Sequence, residues 1–215
     1  MEDKHQHAEL NEKKWDGRAG TFERKWFNRF NFFQFLQKRV ISLLDLREGQ
    51  HFLDIGCGTG WAVRYAASTV ESKGEFYGID ISPKMIEKAR ENCGSCENIH
   101  FYKADAETLP FENDFFDFII CTNSFHHYFS PSKALAEVYR VLKPGGRFFL
   151  LDFTADGPII RIADKWALKK DRAHVSFYST QEYRALFAQS GLNYVSSKSI
   201  WRPLTWQKVH VGAKS

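Results

Sequence analysis

The sequence predicts an α/β domain: a doubly wound, mostly parallel seven-stranded sheet with an N-terminal helical extension and a C-terminal antiparallel hairpin. Three observations carry that prediction. Short apolar runs alternate with amphipathic stretches from His51 to Gly191. A glycine-rich turn, Gly56-Cys57-Gly58-Thr59-Gly60, follows the first of those runs. The run Phe115–Thr122 is nearly continuous in apolar residues, as a strand covered on both faces should be. Alternating strands and helices imply right-handed crossovers and a parallel sheet.

Taken in order, a helical stripe of Phe22, Trp26, Phe30, Phe33, Gln37, Val40 and Leu44 steps by fours and threes, predicting one helix from Thr21 to near Arg47 with Gly49 beyond it as a C-cap. Phe27, Phe32 and Phe35 lie off that stripe, more apolar surface than one core face needs. His51–Ile55 reads as the first strand and Trp61–Ser68 as a helix. Glu75–Asp80 is the second strand; Ser82-Pro83 then supplies an N-cap and a first-turn proline for the helix Lys84–Glu91. Ile99–Lys103 and Phe115–Thr122 are the third and fourth strands. Ser130-Pro131 starts another helix by the same device, stopping at Lys143-Pro144-Gly145-Gly146, and Arg147–Phe153 is the fifth strand. Ser179 and Glu182 have capping-box spacing for a helix through Gln189 that Gly191 ends. Asn193–Trp201 and Trp206–Ala213, around Arg202-Pro203-Leu204, form the hairpin. Residues 1–48 are thus expected to be a helical lid or extension, and 49–215 the main domain.

Composition excludes other classes. The 215 residues are 43% hydrophobic and 26% charged, enough to bury a core without staples. A net charge of +4 with no long basic block gives no reason to expect nucleic acid as a partner. No apolar run of membrane-spanning length occurs, the first residues lack a signal-peptide core, and four scattered cysteines suggest a reducing, cytoplasmic setting. The 20 phenylalanines, 6 tryptophans and 8 tyrosines suggest an aromatic-lined pocket besides the core.

The turn is where function is expected, because such sheets bind ligands beyond the carboxyl ends of their strands. Three glycines let the backbone turn sharply and approach a ligand closely. The dinucleotide fingerprint wants a small residue at position 61, and Trp61 stands there instead. Asp54, just before the turn, suits a cationic ligand better than a pyrophosphate. Asp80, ending the second strand, is placed to accept from a ribose diol. Asp105-Ala106-Glu107 adds a third acidic position at the same edge.

In order and spacing, Leu53–Gly60, Tyr77–Met85, Ala104–Leu109, Phe116–His127 and Arg140–Phe153 resemble the class I S-adenosylmethionine-dependent methyltransferases. Their fold is Rossmann-like, and the subgroup most similar here is the small-molecule methyltransferases of ubiquinone and menaquinone biosynthesis. The resemblance implies S-adenosylmethionine as cofactor. Asp54 with Gly56, Cys57, Gly58 and Gly60 would hold its methionine end, and Asp80 the ribose. Ile81 and Met85 would pack on the adenine, Asp105 and the Ala106 amide would read its edge, and Thr122 and Asn123 would line the methionyl side. It further implies methyl transfer by in-line displacement to O or C of a small aromatic or lipidic acceptor. His127 and His126, after the fourth strand, are the candidate bases. A lid containing Trp15-Asp16-Gly17-Arg18 is expected over the cofactor, and Asp152, Thr154, His174, Phe177 and Tyr178 are expected to face the acceptor.

The surplus phenylalanines of the first helix suggest peripheral membrane contact. Cys57 reads as inert, no metal-ligand set is evident, and Cys93-Gly94-Ser95-Cys96 reads as a surface loop. The alternatives are a nucleic-acid or protein methyltransferase, or a protein that binds the cofactor without turnover. Against base methylation, Cys121-Thr122-Asn123-Ser124 stands where that subgroup carries Asn/Asp-Pro-Pro-Tyr/Phe.

Overall fold

The structure, a computed structural model, describes residues 4–27, 32–71, 73–200 and 206–215, with backbone alone for 21–27. Its sheet has the order β3-β2-β1-β4-β5-β7-β6, built from β1 (His51–Ile55), β2 (Glu75–Asp80), β3 (Ile99–Lys103), β4 (Phe116–Thr122), β5 (Leu142–Phe153), β6 (Asn193–Ser199) and β7 (Gln207–Ala213). The first five strands are parallel, and β7 runs antiparallel to both β5 and β6. The chain moves outward from β1 to β3 and then returns to the other side of β1 as β4. The topological switch point, where a crevice opens between helices leaving in opposite directions, therefore lies between β1 and β4.

Helices cover both faces. One face packs α2 (Phe32–Ile41), α3 (Trp61–Thr69) and α4 (Pro83–Cys93) through Leu36, Val40, Ala66 and Ile86 onto Phe52, Phe76 and Ile120. The other packs α5 (Pro131–Val141) and, beyond the helix α6 (Pro158–Lys170), α7 (Thr180–Gln189) through Leu135, Val138, Tyr183 and Phe187 onto Leu53, Ile119 and Leu150. Central strands flanked this way must be apolar at successive positions, and from Phe118 to Thr122 every residue of β4 is buried.

Several expectations need correction. Helix is described over α1 (Lys4–Phe27), which begins far earlier than Thr21, and over α2, which ends at Ile41, short of Arg47. Of the stripe, Val40 and Leu44 enter the core, whereas Phe33 and Gln37 face a cavity; the side chains of Phe22, Trp26 and Phe30 lie outside the described residues. Ser82 caps α4, accepting from the Met85 amide at 3.1 Å, but Ser130 makes no side-chain cap bond to α5. The capping box of Ser179 and Glu182 forms in both directions. β5 starts at Leu142 rather than Arg147: its register with β4 jumps between Phe116 and Phe118, so Lys143-Pro144-Gly145-Gly146 bulges out of a strand already begun. α6 went unforeseen. The Arg202-Pro203-Leu204 turn lies outside the described residues.

Candidate active site

A cavity of about 1430 Å³, its open mouth included, lies at the carboxyl ends of β1, β2 and β4. Its floor is the turn after β1. Gly56 has φ +78°, the left-handed region, and a Cβ there would stand 2.4 Å from Ser124 Oγ. Gly60 also has a positive φ, +77°, and a Cβ there would meet the Phe101 ring at 2.7 Å. These two positions cannot carry a side chain without displacing the elements behind the turn.

Asp80 closes the turn. Its carboxylate accepts from the Gly58 amide at 3.0 Å and the Ser82 amide at 2.9 Å, tying the end of β2 to the end of β1. Desolvation raises its pKa to about 6, against the pull of those amides and that of Ile81. Behind the turn, Asp54 is completely buried and neither carboxylate oxygen has a partner. Burial, with Asp80 nearby, pushes its pKa to about 8. A buried carboxylate left this way is costly until a cation or donor reaches it. A ligand carrying an ammonium group meets that need, and the side-chain-free turn leaves room for its chain, so these residues fit the amino-acid end of S-adenosylmethionine.

Most of the residues picked from the sequence converge. Gly56, Cys57, Gly58, Asp80, Ile81, Met85, Asp105, Ala106, Thr122, Asn123 and His127 all line the cavity; Asp54 and Gly60 are not among its lining residues. Asp105 folds back on its own loop, accepting from the Glu107 amide at 2.9 Å, and Lys4 of α1 pairs with it at 3.3 Å and with Glu107 at 2.9 Å. Asn123 holds φ +55°, a conformation asparagine tolerates better than most residues, and accepts from Gln207 Nε2. Thr122 Oγ1 accepts from Gln37 Nε2 at 3.0 Å. Burial drives the Cys57 thiol well above its ordinary pKa, so it stays protonated and unreactive.

The two histidines part company. His127 is buried; its Nδ1–H donates to the Ala173 carbonyl at 2.7 Å, and Lys14 Nζ donates to its Nε2 at 3.3 Å. Burial, then His126 and Lys14, hold its pKa far below the ordinary value, so the ring is neutral. His126 does not line the cavity, and its Nδ1 meets Asp152 Oδ1 at 2.8 Å. Asp152, Thr154, His174, Phe177 and Tyr178, expected to face the acceptor, also lie outside the lining. Asp152 and Thr154 are instead buried among β5, β7 and the histidines, with Thr154 Oγ1 bonded to His210 Nε2 at 3.1 Å.

The sequence suggests a lid through Trp15-Asp16-Gly17-Arg18; what it does not suggest is that Lys4, His7, Ala8 and Asn11 of α1 join Trp15 at the cavity. Lys4, His7, Ala8, Asn11 and Trp15 line the cavity at helical spacing, one face of a helix laid across its mouth. His7 Nε2–H and Asn11 Nδ2–H both donate to the His127 carbonyl, at 2.9 and 3.1 Å. Asp16 accepts from Ser82 Oγ at 2.6 Å and from the Lys84 amide at 3.2 Å, a carboxylate at the N-terminus of α4. The 3–4 spacing was there to be read, but the face is polar and so made no apolar stripe.

Comparisons with known proteins agree with this geometry. The family model described as a methyltransferase domain matches residues 53–150. The chain is 33% identical to the uncharacterized methyltransferase YcgJ of Bacillus subtilis, over 72% of this chain and 62% of the relative. The crystal structure of YcgJ superimposes with a TM-score of 0.66, covering 75% of this chain and 70% of that one. The ubiquinone/menaquinone biosynthesis C-methyltransferase UbiE of Pectobacterium atrosepticum is 36% identical over 61% of this chain and 53% of its own length. A chain from the complex of the Haloferax volcanii Trm112 methyltransferase activator with a methyltransferase gives a TM-score of 0.79 at 23% identity, covering 93% of this chain and 96% of that one, a likeness of fold. The chain spans 62% and 53% of the length of these two curated relatives. With the switch-point cavity, the side-chain-free turn and its flanking carboxylates, this likeness shows that the chain belongs to the class I S-adenosylmethionine-dependent methyltransferases.

Proposed function

We propose that the chain is an active methyltransferase that transfers a methyl group to O or C of a small aromatic or lipidic acceptor. The observation that carries this reading is the cavity wall: besides the cofactor set it presents Trp15, Phe33, Trp61 and Phe129, flat apolar surfaces suited to a quinol or phenol ring. The likeness to UbiE, a C-methyltransferase of quinone biosynthesis, supports the same acceptor class.

S-Adenosylmethionine, when bound, supplies an already activated methyl group, so the protein's task is alignment and exclusion of water. Asp54 and the turn would hold the amino-acid end, and Asp80 the ribose hydroxyls. Ile81 and Met85 would cover the adenine, with Asp105 and the Ala106 amide at its edge. Thr122 and Asn123 would border the methionyl chain. Trp15, Phe33 and α1 would close over both ligands and keep water out.

His127 is the cavity-lining candidate for removing an acceptor's proton, at Nε2, once Lys14 has withdrawn its hydrogen bond. His126 would act behind it, as a ring fixed by Asp152. Cysteine usage keeps a cytoplasmic setting part of this proposal.

None of the described helices is long and apolar enough to cross a membrane. Among the described residues, α6 carries a surface suited to peripheral contact. Ile159, Ile162 and Trp166, all more than half exposed, share one helical face rimmed by Lys165, Lys169 and Lys170. Cosedimentation with anionic phospholipid vesicles should be strong for the wild type and at least several-fold weaker for I162E/W166E. Equal sedimentation of the two would remove the membrane from this reading.

For the reaction itself, the protein is incubated with methyl-labelled cofactor and deproteinised small-molecule extract, and the products are partitioned. Label is expected in the organic fraction and should vanish with Asp80→Ala. Label confined to polar or nucleic-acid fractions would overturn the acceptor class while leaving methyl transfer standing.

A further inference from the structure

Beside the cavity, outside the cofactor set, stands a three-histidine cluster; the methyltransferase reading uses His127 as a proton acceptor with His126 behind it, but not the three rings as a group. His126, His127 and His174 each offer a ring nitrogen, and these three atoms lie within 4.8 Å of one another. The rings belong to different parts of the chain. The first two sit in the 3-10 turn Phe125–His127 after β4, and the third lies beyond α6. A further bond brings them together: the Val175 amide donates to the His126 carbonyl at 2.8 Å.

Each ring is oriented through one of its nitrogens. His126 Nδ1 is bonded to Asp152 at 2.8 Å, His127 Nδ1 to the Ala173 carbonyl at 2.7 Å, and His174 Nε2 to Asp164 Oδ1 at 2.6 Å. Proton placement on these nitrogens leaves a lone pair on His126 Nε2, His127 Nε2 and His174 Nδ1. An imidazole fixed by a carboxylate or carbonyl behind it is the usual arrangement of a metal-ligating histidine. Here each of the three clustered rings is held in that way. The lone pair of His127 faces the Lys14 ammonium at 3.3 Å, and Lys14 in turn pairs with Asp171 at 2.5 Å. A cation already stands at the cluster, in a shell that holds Asp152, Asp164 and Asp171.

We propose that His126, His127 and His174 form a binding site for a divalent first-row transition metal, Zn²⁺ or a close analogue. Three imidazoles without thiolate suit zinc, nickel, copper or cobalt and disfavour magnesium or calcium. Tetrahedral Zn–N bonds of about 2.0–2.1 Å set ligand atoms about 3.3 Å apart, so the rings draw inward by roughly an ångström on binding. Lys14 gives up its bond to His127 and keeps the one to Asp171. With three protein ligands the fourth position is open, and His127, which lines the cavity, places that position at the cavity's edge. A metal on His127 Nε2 takes the lone pair assigned above to the acceptor's proton, so the two roles exclude each other; the site itself is built from the chain alone and is tested without cofactor or acceptor.

The test is equilibrium titration of the chelator-stripped, full-length protein with Co²⁺ and Zn²⁺. The expected result is one Co²⁺ per chain, with visible d–d absorption, no thiolate charge-transfer band, and displacement by Zn²⁺. His174→Ala should weaken binding at least about 100-fold, and Asp164→Asn about 10–100-fold through the freed ring. Lys14→Met, which removes the competing cation, should tighten binding several-fold. Circular dichroism checks each variant; if His174→Ala fails to fold, the opposite shifts of Asp164→Asn and Lys14→Met decide. Absence of a stoichiometric site, a thiolate band pointing to Cys93 and Cys96, or unchanged affinity in these variants would each overturn the proposal.

Discussion

Asp54 holds a carboxylate with no partner in a completely buried position, at a cost to the folded state. Its folded pKa, about 8, lies above the unfolded value near 3.8. Between those values the unfolded chain has released a proton that the folded chain retains, so stability falls as pH rises from about 4 to 8. Asp54→Asn removes that dependence. Thermal melts of the ligand-free protein should show the variant matching wild type near pH 4 and exceeding it at pH 8, by on the order of 1–3 kcal/mol. The same variant should bind S-adenosylmethionine more weakly, because in the proposed function this carboxylate is the partner for the ligand's ammonium. A variant no more stable than wild type at pH 8 would contradict the burial argument. The residue scale is also where the sequence was most legible. Asp54, Asp80 and the glycines announce themselves through the chemistry a turn at a strand end requires. His126 and His127 did not, because neighbours in sequence gave no sign that one ring faces the cavity and the other faces Asp152.

At the scale of elements, most strands and the caps at Ser82 and Ser179 followed from local pattern, whereas the Ser130 cap, the start of β5 and the two helices that shape the cavity's surroundings did not. α1 is polar on the face it turns to the cavity, and its apolar periodicity does not mark where it starts. α6 inverts the usual rule: Ile160 is buried, but Ile159, Ile162 and Trp166 point outward, so no inward stripe identifies it. What fixes α1 in place is polar contact across long sequence separations, invisible to a window of neighbours. Asp16 is one such anchor, bonded to Ser82 and to the first turn of α4. We propose that α1 acts as the cavity's lid. Asp16→Ala should then speed release of bound S-adenosylmethionine about 5- to 10-fold, as loss of about 1–1.5 kcal/mol of hydrogen bonding that holds α1 closed predicts. Stopped-flow displacement measures it. An unchanged off-rate would make α1 a fixed wall rather than a lid.

For the whole molecule, one topological event sets the site. The return of the chain from β3 to β4 places β1 and β4 side by side with their carboxyl ends open, and the turn, Asp80, Asp105 and Asn123 arrive there from four different strand ends. Strand–helix alternation was enough to foresee this sheet and its final antiparallel pair. The acceptor wall was not foreseeable to the same degree, since Asp152, Thr154, His174, Phe177 and Tyr178 close on one another or on the core instead of on the cavity. Which side of a strand end a residue serves depends on packing that only the assembled fold fixes. The central claim is that the cavity between β1 and β4 holds S-adenosylmethionine. The most direct measurement is calorimetric titration of the wild type and Asp80→Ala with that ligand. One site per chain is predicted, with affinity lost at least about 10-fold in the variant, as removal of hydrogen bonds to a charged acceptor of about 1.5–3 kcal/mol requires. No binding to the folded wild type, or equal affinity in the two proteins, would contradict it.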